Sequence, residues 1–230
     1  MLETIANIPY LKEAGLVLAY GIIGGGIKYI DQAFDIGVFD SRIATIISIP
    51  TALLMGLLMI TDPISATIFL ALVLGLAVSR KIDNIAFQIG ILTIILIPII
   101  LHNIVSIDWL PFGLLILACL TDEYTNDWSD KKQMERHVKT AMKRKVETPL
   151  HYQIAELIFD HRPVMKVTVL VLALAGQFPN LYFIAYFALD ATYKLVEKIS
   201  FMQKNYHLTE PIAQTKLSQL AAGRRGLSSI

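Results

Sequence analysis

Uncharged runs dominate the pattern along this chain. Residues 43–61, 63–79, 84–107 and 167–189 contain no Asp, Glu, Lys or Arg, and a helix needs about 20 apolar residues to cross the hydrocarbon core of a bilayer. The runs are continuous rather than alternating with period two, which points to helices and away from a transmembrane barrel. In order, the predicted spans are Ala14–Ile30, Ile43–Ile60, Ile64–Ser79, Ile85–Leu101 and Trp109–Leu120. Thr61-Asp62-Pro63 makes a tight turn, and Trp109 stands where an interfacial aromatic belongs. A polar stretch, 121–162, follows. Its centre, Lys131 to Glu147, reads as a basic helix, and Ile154, Leu157 and Ile158 predict a short amphipathic helix lying on the membrane. Pro163 marks re-entry. The last apolar region, Val164 to Val196, is broken by Gly176-Gln177-Phe178-Pro179-Asn180, so it is either a hairpin of two short spans or one long bent span.

The basic residues choose between these. With a hairpin, every Lys and Arg except Lys12 falls on one side, which the positive-inside rule makes the cytoplasm. The expectation is an all-α, polytopic helical bundle of seven spans, or six if the last region crosses once. It forms a single transmembrane domain over 1–230, with a cytoplasmic basic loop at 121–162 and a cytoplasmic tail at 198–230. The bundle lies in the cell membrane with its amino terminus outside. No signal peptide is expected, because Glu3, Lys12 and Glu13 precede the first span without a cleavage pattern. Composition agrees: 55% of residues are hydrophobic and 17% charged, against about 25% charged in soluble domains. Cys119 is the one cysteine and lies in an apolar run, which excludes a disulfide framework, and the five histidines lack zinc-ligand spacing. Gly24-Gly25-Gly26 predicts close approach of another helix.

In this topology the acids gather at the cytoplasmic ends of the spans. Asp31 and Asp35 are one helical turn apart, and like charges at that spacing repel by a few tenths of a kcal/mol unless a cation lies between them. Such a pair suits Mg²⁺, which takes one or two carboxylates and leaves its other positions to phosphate or water. A solvated helix end satisfied by Lys28 or Arg42 is the plain alternative. Asp83-Asn84 opens the fourth span and reads as its cap. Asp122, Glu123 and Asp127 end the fifth, where the helix dipole disfavours acids, so they call for a metal or for Lys131 and Lys132. Asp190 is the acid set deepest in an apolar span; it is either functional or paired with Lys194 one turn on. The seven Lys and Arg residues from Lys131 to Lys145 lack interleaved aromatics, so they predict anionic lipid and not nucleic acid.

The Asp-rich junctions resemble in kind those of intramembrane prenyltransferases, in which acids bind a metal diphosphate. Asp31-xxx-Asp35 matches one such pattern. The Asp122–Asp127 spacing differs from the family's and this chain has fewer spans, so the likeness implies only the idea of a metal-bound lipid diphosphate. The first expectation is accordingly an enzyme acting with Mg²⁺ on a prenyl or glycerolipid phosphate or diphosphate at the cytoplasmic face. Asp31, Asp35, Asp122 and Asp127 would hold the metal, and Lys28, Arg42 and Arg162 would neutralise phosphate oxygens. Two other readings stand beside it: a non-catalytic membrane scaffold docking through 121–162 and the tail, and a small transporter using Asp190 and the glycine run.

Overall fold

The computed structural model describes residues 9–101, 105–141 and 163–226. Among these the chain is all-α, with seven helices and no strand: α1 (Pro9–Asp35), α2 (Ser41–Thr61), α3 (Pro63–Val78), α4 (Ile85–Ile100), α5 (Trp109–Ala141), α6 (Pro163–Leu174) and α7 (Asn180–Gly226).

Short polar side chains set the helix boundaries. Asp40 accepts from the backbone N–H of Arg42 (2.7 Å) at the start of α2, Asp62 from Ser65 (2.8 Å) at α3, and Asn84 from Phe87 (2.9 Å) at α4. Each occupies an N–H that the first helical turn leaves unpaired. Pro63 and Pro163 open α3 and α6, where a residue without an N–H forfeits nothing. Two helices close with a left-handed residue. Arg80 (φ 56°) lets Lys81 N–H reach Leu76 O at 3.0 Å, and Gly176 (φ 73°) lets Gln177 N–H reach Leu172 O at 3.0 Å.

The helices pack as a closed circuit in the order α1, α2, α3, α5, α6, α7 and back to α1, with α4 outside against α2. Tyr20, Phe69, Leu115, Val169 and Phe178 fill the middle. The α1–α7 seam is the most extensive and depends on missing side chains. A Cβ on Gly24 would run into the Leu189 backbone of α7, while one on Gly26 would run into Thr51 of α2 at the α1–α2 contact. That closeness lets Thr192 Oγ1 donate to Gly21 O at 2.7 Å. The glycine run thus serves the close approach expected of it.

Consecutive helices alternate in direction. Tyr182 Oη donates to Asp62 Oδ1 (2.8 Å) and Asp108 N–H to Thr67 Oγ1 (3.1 Å), so the α2–α3 turn, the α6–α7 turn and the start of α5 share one end. The α3–α4 turn, the polar part of α5, the start of α6 and the charged part of α7 lie at the other. The last apolar region is therefore two antiparallel helices, and the single bent span is set aside. The hairpin wins because Gly176 can take the left-handed turn and Phe178, 2% exposed, pins the turn into the core. A second difference concerns α5, which does not stop near Leu120. It continues unbroken through the acids to Ala141, since nothing between Thr121 and Ala141 is a Gly or Pro.

Of the described helices, α2 (21 residues) is the one that is both long and apolar enough to cross a membrane by itself. Helices α3 and α4 (16 residues each) and α6 (12) are apolar but shorter. The expected amphipathic helix at 154–158, the basic residues 142–147 and Arg162 lie outside the described residues.

Candidate functional site

Helix α1 does continue through Asp35, so Asp31 and Asp35 stand on it one turn apart, as expected. Asp35 stands against the negative charge of Asp31, one turn back, and of Asp83 in the α3–α4 turn. Partial desolvation, then the charges of Asp31 and Asp83, push the Asp35 carboxyl above the usual carboxylate range, while Lys28 pulls it back. A positive charge beside the pair would therefore be favoured.

Lys28 is the cation next to this pair, and it is already well occupied. Its Nζ lies 2.8 Å from Asp31 Oδ2, 2.9 Å from Glu197 Oε1 and 4.7 Å from the Tyr193 ring centre. At 6% exposed it is buried in the α1–α7 seam. The buried Ser200–Gln32 side-chain hydrogen bond closes the seam one turn further on. Lys28 therefore balances acids of its own protein, which leaves little of it for a phosphate. Arg42 is exposed on the first turn of α2.

The other expected acids have separate tasks. Asp122 is 3% exposed, and its two oxygens accept from Val164 N–H (2.9 Å) and Met165 N–H (2.7 Å). It caps α6 from a neighbouring helix, a role that neither its spacing nor its local sequence announced. Asp127 pairs with Lys81 at 2.7 Å, with Glu123 3.9 Å from the same ammonium. The cation that the acidic end of α5 called for is thus Lys81, which arrives across the α3–α5 contact. Among the described residues, no three Asp, Glu, His or Cys side chains are grouped so as to hold a metal. The expected four-aspartate set is split between two places.

Asp190 meets Lys194 at 3.5 Å, the pairing expected on α7, and also Lys166 of α6 at 3.0 Å. The second partner was missed, although a signal for it existed. Lys166 and Asp190 bound the uncharged run 167–189, whose midpoint is Phe178. A hairpin turning at Phe178 must bring the two ends of that run together.

An apolar groove of about 430 Å³ opens between α1, α2 and α7. Ile22, Gly25 and Tyr29 line one side, Pro50 and Leu54 another, and Val196 the third. Tyr29, at its charged end, stacks on Phe39 with ring centres 4.3 Å apart. The groove thus ends level with Lys28 and Asp31 on the same helix.

Comparison with known protein families, with curated proteins and with solved structures finds no match to this chain.

Proposed function

We propose that the chain is a multi-pass membrane protein that binds, and acts on, the phosphate or diphosphate of a prenyl or glycerolipid at the cytoplasmic face, with Mg²⁺ at Asp31 and Asp35. The membrane part is supported by a surface that is apolar where it is exposed. Ile46, Leu53 and Leu57 of α2, Leu92, Ile95 and Ile99 of α4, Leu114 and Leu117 of α5, Val167 and Val171 of α6, and Ile184 and Phe187 of α7 all face outward, while Lys28, Gln32, Asp122 and Glu123 are buried. Water would penalise so large an apolar exterior, and lipid would solvate it.

The observation that carries the lipid-phosphate part is the apolar groove that reaches Tyr29, level along α1 with Lys28 and Asp31. A chain in the groove would place its head group near Tyr29. Asp31 and Asp35 supply the one or two carboxylates that Mg²⁺ takes while keeping its other positions for phosphate and water. The donor set fits for a further reason: two like-charged carboxylates one helical turn apart favour whatever cation lies between them. When bound, the metal would neutralise phosphate oxygens and so ease attack on, or departure from, the phosphorus. Lys28 and Glu197 fix the orientation of Asp31, and Asp35 is the exposed member open to ligand.

The test is thermal unfolding of the protein in detergent with millimolar Mg²⁺ and a short-chain phosphatidate or prenyl diphosphate. Ligand at a hundred times its dissociation constant stabilises the folded state by about 2.7 kcal/mol, so wild type should melt higher. Asp35→Asn should lose that response while staying folded, with a ligand-free stability at neutral pH equal to or slightly above that of wild type. A wild type indifferent to Mg²⁺ with either lipid would leave the scaffold reading in its place.

A further inference from the structure

Lys166, Asp190 and Lys194 form one ion group on α6 and α7, and its level in the bundle can be read in two ways. Gly24 of α1 abuts Leu189 of α7, and Gly26 abuts Thr51 of α2. Two residues span about 3 Å along a helix, so Asp190 lies near the level of Thr51, the middle residue of α2. Counting from the outer end gives the same level. The α6–α7 turn meets the α2–α3 turn where Tyr182 reaches Asp62. From there Lys166 is eight residues inward of Leu174 on α6, as Leu53 is of Thr61 on α2. Beyond Thr51, α2 runs on for ten residues to Ser41, about 15 Å, and Ile43 and Ile46 on that stretch are apolar and exposed. Beyond Lys166, α6 has only Pro163 to Met165 left. The cytoplasmic end of α6 therefore stops well short of that of α2. The lipid-facing part of α5 is short as well. Its exposed aromatics Trp109 and Tyr124, of the kind that mark the two interfaces, are about 22 Å apart along the helix, against a hydrocarbon core of roughly 30 Å.

A charged side chain at such a depth is relieved by snorkelling, by local thinning of the bilayer or by water. Snorkelling is closed to this group. Asp190 has a short side chain, and its Oδ2 holds the ammonium groups of Lys166 and Lys194 at its own level, 3.0 and 3.5 Å away. The side chains of Lys166, Asp190 and Lys194 are 19%, 19% and 37% exposed, so part of each faces whatever surrounds the bundle. A helix too short for the bilayer is likewise met by thinning. We infer that the bilayer is thinned beside α6, its cytoplasmic leaflet drawn inward so that water and phospholipid head groups reach Lys166, Asp190 and Lys194, while the α2 face carries a leaflet of full depth. This rests on the membrane part of the proposed function and not on its metal or its lipid substrate.

The test compares depth at matched levels of the two faces. The full-length protein, with Cys119→Ala, receives one further substitution, Val167→Cys on α6 or Leu53→Cys or Ile46→Cys on α2, all at exposed apolar positions. Each cysteine carries a nitroxide, and the protein is placed in vesicles of dioleoyl phosphatidylcholine. Relaxation by oxygen, which concentrates in hydrocarbon, is measured against relaxation by a nickel chelate, which stays in water. The chelate-to-oxygen ratio at Val167→Cys should be several-fold higher than at Leu53→Cys, close to the same level. It should also exceed that at Ile46→Cys, although Ile46 lies about 10 Å nearer the cytoplasmic end than Leu53. A ratio at Val167→Cys as low as at Leu53→Cys would mean a bilayer of even thickness that buries the ion group. Protection of Val167→Cys from both reagents would mean that protein, and not lipid or water, covers α6. Either result overturns the inference. Failure of the membrane reading looks different: all three positions would be rich in chelate, and the protein would not float with the vesicles. If the Mg²⁺ response of the proposed function is absent while the ratios are as expected, the metal reading falls and the thinning stands.

Discussion

At Asp35, partial desolvation and the charges of Asp31 and Asp83 oppose ionisation, and this has a consequence that can be measured without any ligand. Its carboxyl is raised above the ordinary value near 3.8, so between that value and the raised one the folded state holds a proton that the unfolded chain has released. Stability must therefore fall as pH rises through this window, and it is greatest below it. Urea unfolding followed from pH 4 to 7 should show the decline in wild type and a flatter profile in Asp35→Asn. A steeper decline in the variant would mean that the acids do not interact as the geometry implies. Mg²⁺, if it binds there, should flatten the wild-type profile by replacing the bound proton. The residue scale is also where the sequence was least legible. Asp31 and Asp35 could be paired from their spacing, and Asn84 could be recognised as a cap. Asp122 could not be, because its partners Val164 and Met165 lie on another helix, and no local pattern encodes a cap delivered from a distance. Lys28 and Lys81 were visible as cations, but which acids they would meet depended on how α1 docks on α7 and α3 on α5.

Helices were far more legible than their contacts, because a run of uncharged residues bounded by Asp, Asn, Pro or Gly defines an element by itself. The same local signals failed where the chain changed polarity without changing structure: α5 crosses from apolar to acidic at Thr121 and remains helical. Gly24 to Gly26 announced a close approach, and their different surroundings allow a graded prediction. Gly24→Ala should cost about 1–3 kcal/mol, because its Cβ would meet Leu189 backbone and α1 and α7 must separate. Gly15→Ala is on the same helix, with nothing within 4 Å of the new methyl. It should stabilise α1 by up to about 1 kcal/mol through helix propensity alone. Unfolding of both variants in the same detergent makes the comparison. Equal effects would show that glycine here serves the chain's conformation and not the seam. The loss in Gly24→Ala should also weaken the neighbouring Thr192–Gly21 bond, since both depend on the same interhelical distance.

For the whole molecule, the arrangement of ends carries the argument. The seven described helices alternate in direction, which puts the start of α1 and the carboxyl-terminal part of α7 at opposite ends of the bundle. The end that holds Asp31, Asp35, Asp83 and Asp127 is also the end that holds Arg42, Arg80, Lys81, Lys166 and Lys198 among the described residues. If the apolar exterior faces lipid, the positive-inside rule assigns that end to the cytoplasm. The hairpin is the part most open to challenge: α6 has 12 residues, which as a helix is about 18 Å, short of the roughly 30 Å hydrocarbon core. Tyr182 nevertheless reaches Asp62 at the far end of α2, a helix of 21 residues, so the α6–α7 turn lies near the outer end of a full-length helix. Cysteine accessibility in intact cells tests this directly. With Cys119 replaced by Ala, single cysteines at the exposed positions Ser41, Thr61 and Lys198 are challenged with a membrane-impermeant thiol reagent. Thr61→Cys should react from outside, and Ser41→Cys and Lys198→Cys only after the cells are opened. Reaction of Lys198→Cys in intact cells, with Ser41→Cys protected, would place the end of α7 outside and mean that the last apolar region crosses the membrane once. Reaction of all three in intact cells would remove the membrane from between them, and the apolar exterior would then need a partner other than lipid.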